Sequence, residues 1–213
     1  MRILGGHGHS GYTQKVRIAL AEKGLTARIP IVHLTPEERR GSEHRKRNPL
    51  GLIPVLELDD GSFLPESSAI IEYLDALFPD PSLIPSDPLR RARMHVFDHY
   101  NDQALTPAVR RLWDALFEVR PTEPDRAAAA AAARADISAV FTHLDGVLGD
   151  GAYLVGDFSL ADIAFMARLQ VLPELGVDIP ATSSRARAWQ RRLQERASWS
   201  ATAYPPLPER VLR

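Results

Sequence analysis

The stretch from Asn48 to Leu77, NPLGLIPVLELDDGSFLPESSAIIEYLDAL, restricts what this chain can fold into more than any other. Ile53-Pro54-Val55 places a proline at the mouth of an apolar, β-branched run. Proline has no amide proton for a sheet ladder, so it belongs at a strand's first residue or on an edge. Asp59-Asp60-Gly61 supplies hairpin chemistry, because Gly61 is free to take a positive φ. Glu66-Ser67-Ser68 then opens a helix with apolar positions at Ala69, Ile70, Tyr73, Leu74 and Leu77, a period of about 3.6 residues. The start of that helix presents unpaired amides and a partial positive charge, a seat for an anion. Beside it, a proline that leaves its strand edge unpaired exposes backbone groups to an extended peptide. Together the two features suit a small acidic peptide.

The rest of the composition narrows the class. The 213 residues carry a net charge of -1, which gives no broad field for nucleic acid or an anionic membrane. No apolar run approaches the ~20 residues of a membrane helix, and no signal peptide is evident, so a cytoplasmic protein is expected. There is no cysteine. Disulfides, thiolate metal sites and a protein-borne cysteine nucleophile are therefore excluded.

A short strand, Arg2 to Leu4, leads into Gly5-Gly6-His7-Gly8-His9-Ser10-Gly11. A helix follows to about Glu22, with Tyr12, Val16, Ala19 and Leu20 on one face and Gly24 as its stop. Ala27 to His33 reads as an edge or bent strand around Pro30, and Thr35 to Arg47 as a charged surface loop with a helical turn. Pro54–Leu58 and Ser62–Leu64 close the sheet. Prolines 79, 81, 85 and 88 punctuate a connector. The expected division is residues 1–78, a linker over 79–88, and a helical domain over 89–213. There, Leu89 to about Glu118 forms one or two helices, and Ile137, Val140, Phe141, Leu144 and Leu148 make the apolar stripe of the next. The alanine run 127–133 is a solvent-tolerant part of that helix. In Gly156-Asp157-Phe158-Ser159-Leu160-Ala161-Asp162-Ile163, Ser159 is the N-cap, Asp162 its box partner, and Phe158 with Ile163 the staple.

The Asn48–Leu77 segment resembles the N-terminal domain of the soluble glutathione transferases, and FSLADIAF resembles the buried core helix of their C-terminal domain. The resemblance runs from about Met1 to Ser198 and is best to the bacterial-type, serine-using members. It implies an α/β thioredoxin-like N-terminal domain, with a mixed four-stranded sheet and helices, followed by an all-α domain. It implies glutathione as co-substrate, Pro54 in cis, the backbone of Ile53 paired with the glutathione cysteine, and Glu66 and Ser67 on the γ-glutamyl end. The sulfur of the reaction then arrives with glutathione.

Lys15-Val16-Arg17-Ile18-Ala19-Leu20 is similar to the family's first helix, which puts Ser10 where the serine-using classes keep their catalytic hydroxyl. A hydroxyl donor at a helix N-terminus stabilises a thiolate more than a thiol. The ordinary alternative for Ser10 is a helix N-cap. Tyr12, where other classes place a cysteine, and Thr13, one turn in, are rivals; the Tyr12 ring can equally be core. A proline commonly neighbours this serine, and Gly11 stands there instead. Leu52 stands where a lysine or glutamine usually holds the glycine carboxylate, which leaves Arg39, Arg40, His44 or Arg45 as compensating cations.

His7 and His9 alternate in the turn, but no third ligand is evident, and the spacing of His95 and His99 fits an exposed face or pocket wall better than a metal site. No metal is expected. Gly8-His9-Ser10-Gly11 misses the nucleophile-elbow spacing because Tyr12 takes the last position. The expected function is a glutathione transferase of the detoxification kind, attacking a small hydrophobic electrophile in the helical domain. Leu105, Leu112, Trp113 and Phe117 are candidates for that pocket or for core. A homodimer is expected from the resemblance. The alternatives are a non-catalytic binding or regulatory protein, and a glutathione-dependent isomerase, whose serine-serine-cysteine turn this chain lacks.

Overall fold

The computed structural model describes residues 1–6, 9–117, 126–149 and 151–205. The N-terminal part runs β1 (Arg2–Gly6), α1 (Gly11–Glu22), β2 (Ile31–Leu34), α2 (Pro36–Arg40), α3 (Ser42–Arg47), β3 (Val55–Glu57), β4 (Phe63–Pro65) and α4 (Ser67–Leu77). Its sheet is four-stranded and mixed, in the order β2-β1-β3-β4, with β1 and β2 parallel and the other pairs antiparallel. A parallel pair needs a crossover, and α1 supplies it. The thioredoxin-like expectation holds. The sites gather where α1 and α4 start, beside the entry to β3.

Three local readings change. β2 starts after Pro30, whose carbonyl accepts from the Ile3 amide at 2.9 Å; Ala27–Ile29 is turn. Thr35–Arg47 is two short helices, the first opened by a capping box between Thr35 and Glu38. The buried face of α4 is Ile70, Ile71 and Leu74, whereas Ala69 and Leu77 are exposed.

The second part is helical: α5 (Pro88–Tyr100), a π-helical turn over Asn101–Leu105, α6 (Thr106–Phe117), α7 (Arg126–Val147), α8 (Leu160–Leu169), a 3-10 turn over Leu172–Leu175, α9 (Ser184–Gln194) and α10 (Ala197–Ala201). Asp87 caps α5 through the Arg90 amide (2.8 Å), with Pro88 at the first position, where its missing N–H costs nothing. The stripe from Ile137 to Leu148 is buried as expected.

All ten residues of α8 are buried. Its start is the expected box: Ser159 accepts from the Ala161 amide (3.3 Å), and Asp162 accepts from the Ser159 amide (3.0 Å). α1 packs on α8, α4 and α10, so the first turn of α1 is pressed against the helical part. Among the described residues no helix is long and apolar enough to cross a membrane.

Candidate active site

Ser10 sits just before α1 in extended backbone (φ -76°, ψ 99°), and its side chain caps no amide. Its Oγ instead lies 3.1 Å from Thr13 Oγ1, which accepts from the Gly6 amide at 3.3 Å. The ordinary N-cap role is therefore absent, and the amides at the start of α1 lack a side-chain acceptor. Thr13 is buried. The half-buried Tyr12 ring has Lys15 Nζ 5.9 Å and the Arg168 guanidinium 5.1 Å from its centre. Burial, and then the charge of Asp102, pushes its phenol above the ordinary value, so it stays protonated.

A cavity of about 170 Å³ opens beside this turn, walled by Tyr12, Asn48, Leu52, Ile53, Pro54, Glu66, Ser67 and Asp102. The Ile53-Pro54 bond is cis. Among the described residues no hydrogen bond uses the Ile53 amide or carbonyl. The loop is anchored one residue earlier, where the Leu52 carbonyl accepts from Asn48 Nδ2 and pairs with His44 Nε2, both at 3.0 Å.

Glu66 has φ 73°, the left-handed region, which costs a non-glycine residue about 1–3 kcal/mol. It precedes α4 without capping it, so the amides that follow lack a side-chain acceptor at the cavity wall.

A larger cleft of about 690 Å³ adjoins the first and shares Tyr12 and Asp102 with it. His9, Ser10, Arg39, Thr106, Trp113 and Arg168 are among its walls. Ser10 thus lies in the wall of the larger cleft, two residues before Tyr12, which borders both spaces. His9 is stacked on Tyr204 (4.7 Å between centres), tilted against Trp113 (5.2 Å), and paired through Nε2 with Glu174 at 3.1 Å. Burial holds its pKa down, and Glu174 opposes that. His7 lies outside the described residues. A further hollow of about 500 Å³ over Glu22 and Arg196 shares no wall with these two, and its charges already pair at 2.6 Å.

Beneath Tyr12 runs a buried polar cluster. Lys15 Nζ lies 2.5 Å from Asp98, donates to Ser68 Oγ at 3.0 Å, and lies 3.8 Å from Asp102. Burial raises the Asp102 pKa, and Lys15 works against it. Asp102 comes from the π-helical turn and lines both spaces.

The compensating cations separate. Arg39 lines the larger cleft, with its Nε buried and unpartnered. Arg40 points outward to Glu37 (3.2 Å), and Arg45 is exposed. His44 is buried against the Leu52 carbonyl, so it shapes the loop and does not reach into either space. Leu105 and Leu112 are core, Trp113 lines the larger cleft, and Phe117 packs edge-on against Trp113 at 4.8 Å. Asp98 faces Lys15 while His95 lies by Glu72 at 3.6 Å, so that acid–histidine group is split between two environments. Asn48, Asp102 and Arg168 are site residues that the sequence reading did not assign a site role.

Residues 9–77 match the family described as glutathione S-transferase, N-terminal domain, and residues 99–197 match glutathione S-transferase, C-terminal domain. Glutathione S-transferase 2 of Saccharomyces cerevisiae is 32% identical over 205 residues, covering 88% of this chain and 83% of its own. A maleylacetoacetate isomerase of Pseudomonas aeruginosa is 50% identical over 84 residues, 37% of this chain and 38% of its own. A solved glutathione S-transferase of Methylobacillus flagellatus, with glutathione bound, overlays 95% of this chain and 98% of its own at a TM-score of 0.76 and 28% identity. With both domain matches and a relative matched over most of both lengths in agreement, the chain belongs to the glutathione S-transferase family.

Proposed function

We propose that this protein is a glutathione transferase: it converts the thiol of bound glutathione to thiolate and directs it at an electrophilic carbon in the larger cleft. The observation that carries the reading is the uncapped first turn of α1, with Ser10 in the wall of the larger cleft and Tyr12, two residues on, bordering both spaces. Glutathione lies in the smaller cavity, its γ-glutamyl end at Glu66 and Ser67 and its cysteine along the free backbone of Ile53. Arg39 is the cation placed to meet the glycine carboxylate.

The chemistry follows from charge. A thiol near pKa ~8.5 is mostly protonated at cellular pH. The Ser10 hydroxyl and the α1 amides stabilise the sulfur only when it carries charge, and each unit of pKa lowering is about 1.4 kcal/mol of such preference. With sulfur in place, Ser10 turns its proton to the thiolate and accepts the Thr13 proton instead. The Thr13 oxygen keeps the Gly6 amide throughout. A sulfur–carbon bond then forms, and the leaving group departs with its electron pair.

Calorimetric titration of glutathione, followed by a pH titration of the thiolate absorbance in wild type and Ser10→Ala, tests this. Binding with a depressed thiol pKa that returns toward ~8.5 in Ser10→Ala is expected. An unchanged pKa removes Ser10 as the donor, and no binding at millimolar glutathione favours a regulatory protein.

The identity to a maleylacetoacetate isomerase favours a second reading, glutathione-dependent isomerisation. Stoichiometry separates the two, since a transferase consumes one glutathione per turnover and an isomerase regenerates it. We also infer a homodimer. Phe63, Leu89 and Val96 leave large apolar side chains exposed, and sedimentation at micromolar protein tests it.

A further inference from the structure

Arg168 has no part in the thiolate chemistry above. It belongs to α8, whose other residues are apolar except Asp162, and it is only 8% exposed. Its Nε donates to Thr106 Oγ1 at 2.8 Å, and its guanidinium lies 5.1 Å from the Tyr12 ring centre. Gly11 packs so closely that a Cβ there would come within 1.6 Å of Nη1. Among the described residues no carboxylate oxygen lies within 4.0 Å of Arg168, and neither Nη1 nor Nη2 has a hydrogen-bond partner. A buried guanidinium is ordinarily paired with a carboxylate. This one is held rigid at its Nε, stacked on an aromatic ring, and left open at its fork in the wall of the larger cleft.

The surrounding charges agree. Arg39 and Arg110 line the same cleft, with Arg110 held to Asp114 at 3.0 Å. The acid among the described lining residues is Asp102, which stands at the junction with the smaller cavity, 3.8 Å from Lys15 Nζ; Arg168 acts on it through charge, without a contact within 4.0 Å. Glutathione's own carboxylates have other seats in the reading above, the glycine end at Arg39 and the γ-glutamyl end at Glu66 and Ser67 in the smaller cavity. The planar fork of arginine matches a carboxylate through two parallel hydrogen bonds.

We propose that the larger cleft takes an electrophile bearing a carboxylate, gripped by Arg168 through Nη1 and Nη2 while the thiolate attacks an activated carbon elsewhere on the molecule. This rests on the glutathione transferase reading. Arg168 is a specificity-determining residue, and the carboxylate passes through the reaction unchanged.

The test compares chlorodinitrobenzoate with its methyl ester, each rate divided by that of its uncatalysed reaction with glutathione, because the ester activates the ring more than the carboxylate does. In both, the sulfur–carbon bond forms at the ring, the carbon–chlorine bond breaks, and chloride leaves with the electron pair. Wild type is expected to favour the acid over the ester in kcat/KM by on the order of 10-fold or more. Arg168→Gln is expected to lose that preference while keeping wild-type glutathione affinity, and Arg168→Lys, which keeps the charge without the fork, to retain part of it.

Dinitrobenzoate, which lacks the leaving group, gives a readout free of turnover: its calorimetric affinity should fall at least about 10-fold in Arg168→Gln. An acid-to-ester ratio near one in wild type, or unchanged dinitrobenzoate binding in Arg168→Gln, overturns the proposal and leaves the glutathione reading standing. If glutathione itself fails to bind, the parent reading falls, and dinitrobenzoate binding by the free protein still decides what Arg168 does. If Arg168→Gln does not fold, the wild-type ratio and Arg168→Lys decide alone.

Discussion

His9 and Glu174 are 165 residues apart in sequence and 3.1 Å apart in the fold, joining the turn before α1 to the 3-10 turn after α8. The His9 ring is also held between Tyr204 and Trp113, so one side chain fixes the position of the turn before α1 against the larger cleft. Burial lowers the His9 pKa, and the two opposing contributions both come from Glu174. A lowered folded-state pKa means that the stability this group contributes is present above the ordinary histidine value of about 6.5 and is lost as pH falls below it. Glu174→Gln removes the opposing charge, so His9 should titrate lower still when its ring protons are followed by NMR. A His9 titration that does not move on this substitution would show the contact to be electrostatically idle.

Lys15 and Asp98 form the second buried tie, with side chains 1% and 10% exposed and 2.5 Å apart. Breaking one side of a buried pair leaves an uncompensated charge and costs about 3–5 kcal/mol, whereas replacing both partners with apolar groups is often neutral. Lys15→Met should therefore lower the urea midpoint strongly, and Lys15→Met with Asp98→Leu should recover much of the loss. Equal destabilisation by the single and double variants would contradict the pairing.

The start of α4 was legible because local rules write it, whereas Ser10 was reached through the resemblance of Lys15–Leu20 to the family's first helix, and its local reading as an N-cap does not hold. A proline at a strand mouth, a turn glycine and an acid–hydroxyl pair before an apolar period each act over a few residues, as does the Ser159–Asp162 box. What stayed hidden depends on distant partners. Lys15 has no evident partner in the sequence, and the one that buries it, Asp98, lies 83 residues on. His44 reads as one charge in a cluster, yet the carbonyl that buries it comes from Leu52. Arg168 is the one basic residue of a mostly apolar helix, and only the packing of α8 against α1 shows what its fork faces. The π-helical turn that brings in Asp102 is followed closely by Pro107, whose missing amide proton breaks the regular helical bond to residue 103, a mark the sequence reading did not use. On α4 the face was misread at Ala69 and Leu77 because Ile71 fits the stripe as well as they do.

Asp162 is fully buried and accepts hydrogen bonds from the Leu154 amide (3.1 Å) and Trp189 Nε1 (2.8 Å) besides the Ser159 amide. Burial nevertheless pushes its carboxyl up to about 6. Because the folded value lies above the unfolded value of 3.8, the native state holds the extra proton between the two. The stability this group contributes is full below the unfolded value and declines as pH rises through about 6, by on the order of 3 kcal/mol for the whole window. Asp162→Asn lacks the titration. Denaturant midpoints measured across that window should change less with pH in the variant than in wild type. Parallel profiles would mean that Asp162 titrates normally in the fold.

Thr13 tests the hydroxyl pair separately from Ser10. Its oxygen has one proton and two lone pairs; one lone pair takes the Gly6 amide, and the remaining contact is to Ser10. Thr13→Val keeps the shape and removes the oxygen. The Gly6 amide is then left without its acceptor, a loss of about 1–3 kcal/mol that thermal unfolding would register. Ser10 also loses the neighbour that donates to it while its own proton points at sulfur. The thiol pKa of bound glutathione should therefore rise in Thr13→Val, but by less than in Ser10→Ala, since the direct donor remains. A rise as large as that of Ser10→Ala would place Thr13 itself against the sulfur, and a thiol pKa equal to wild type would remove the pair from the mechanism and leave Ser10 acting alone.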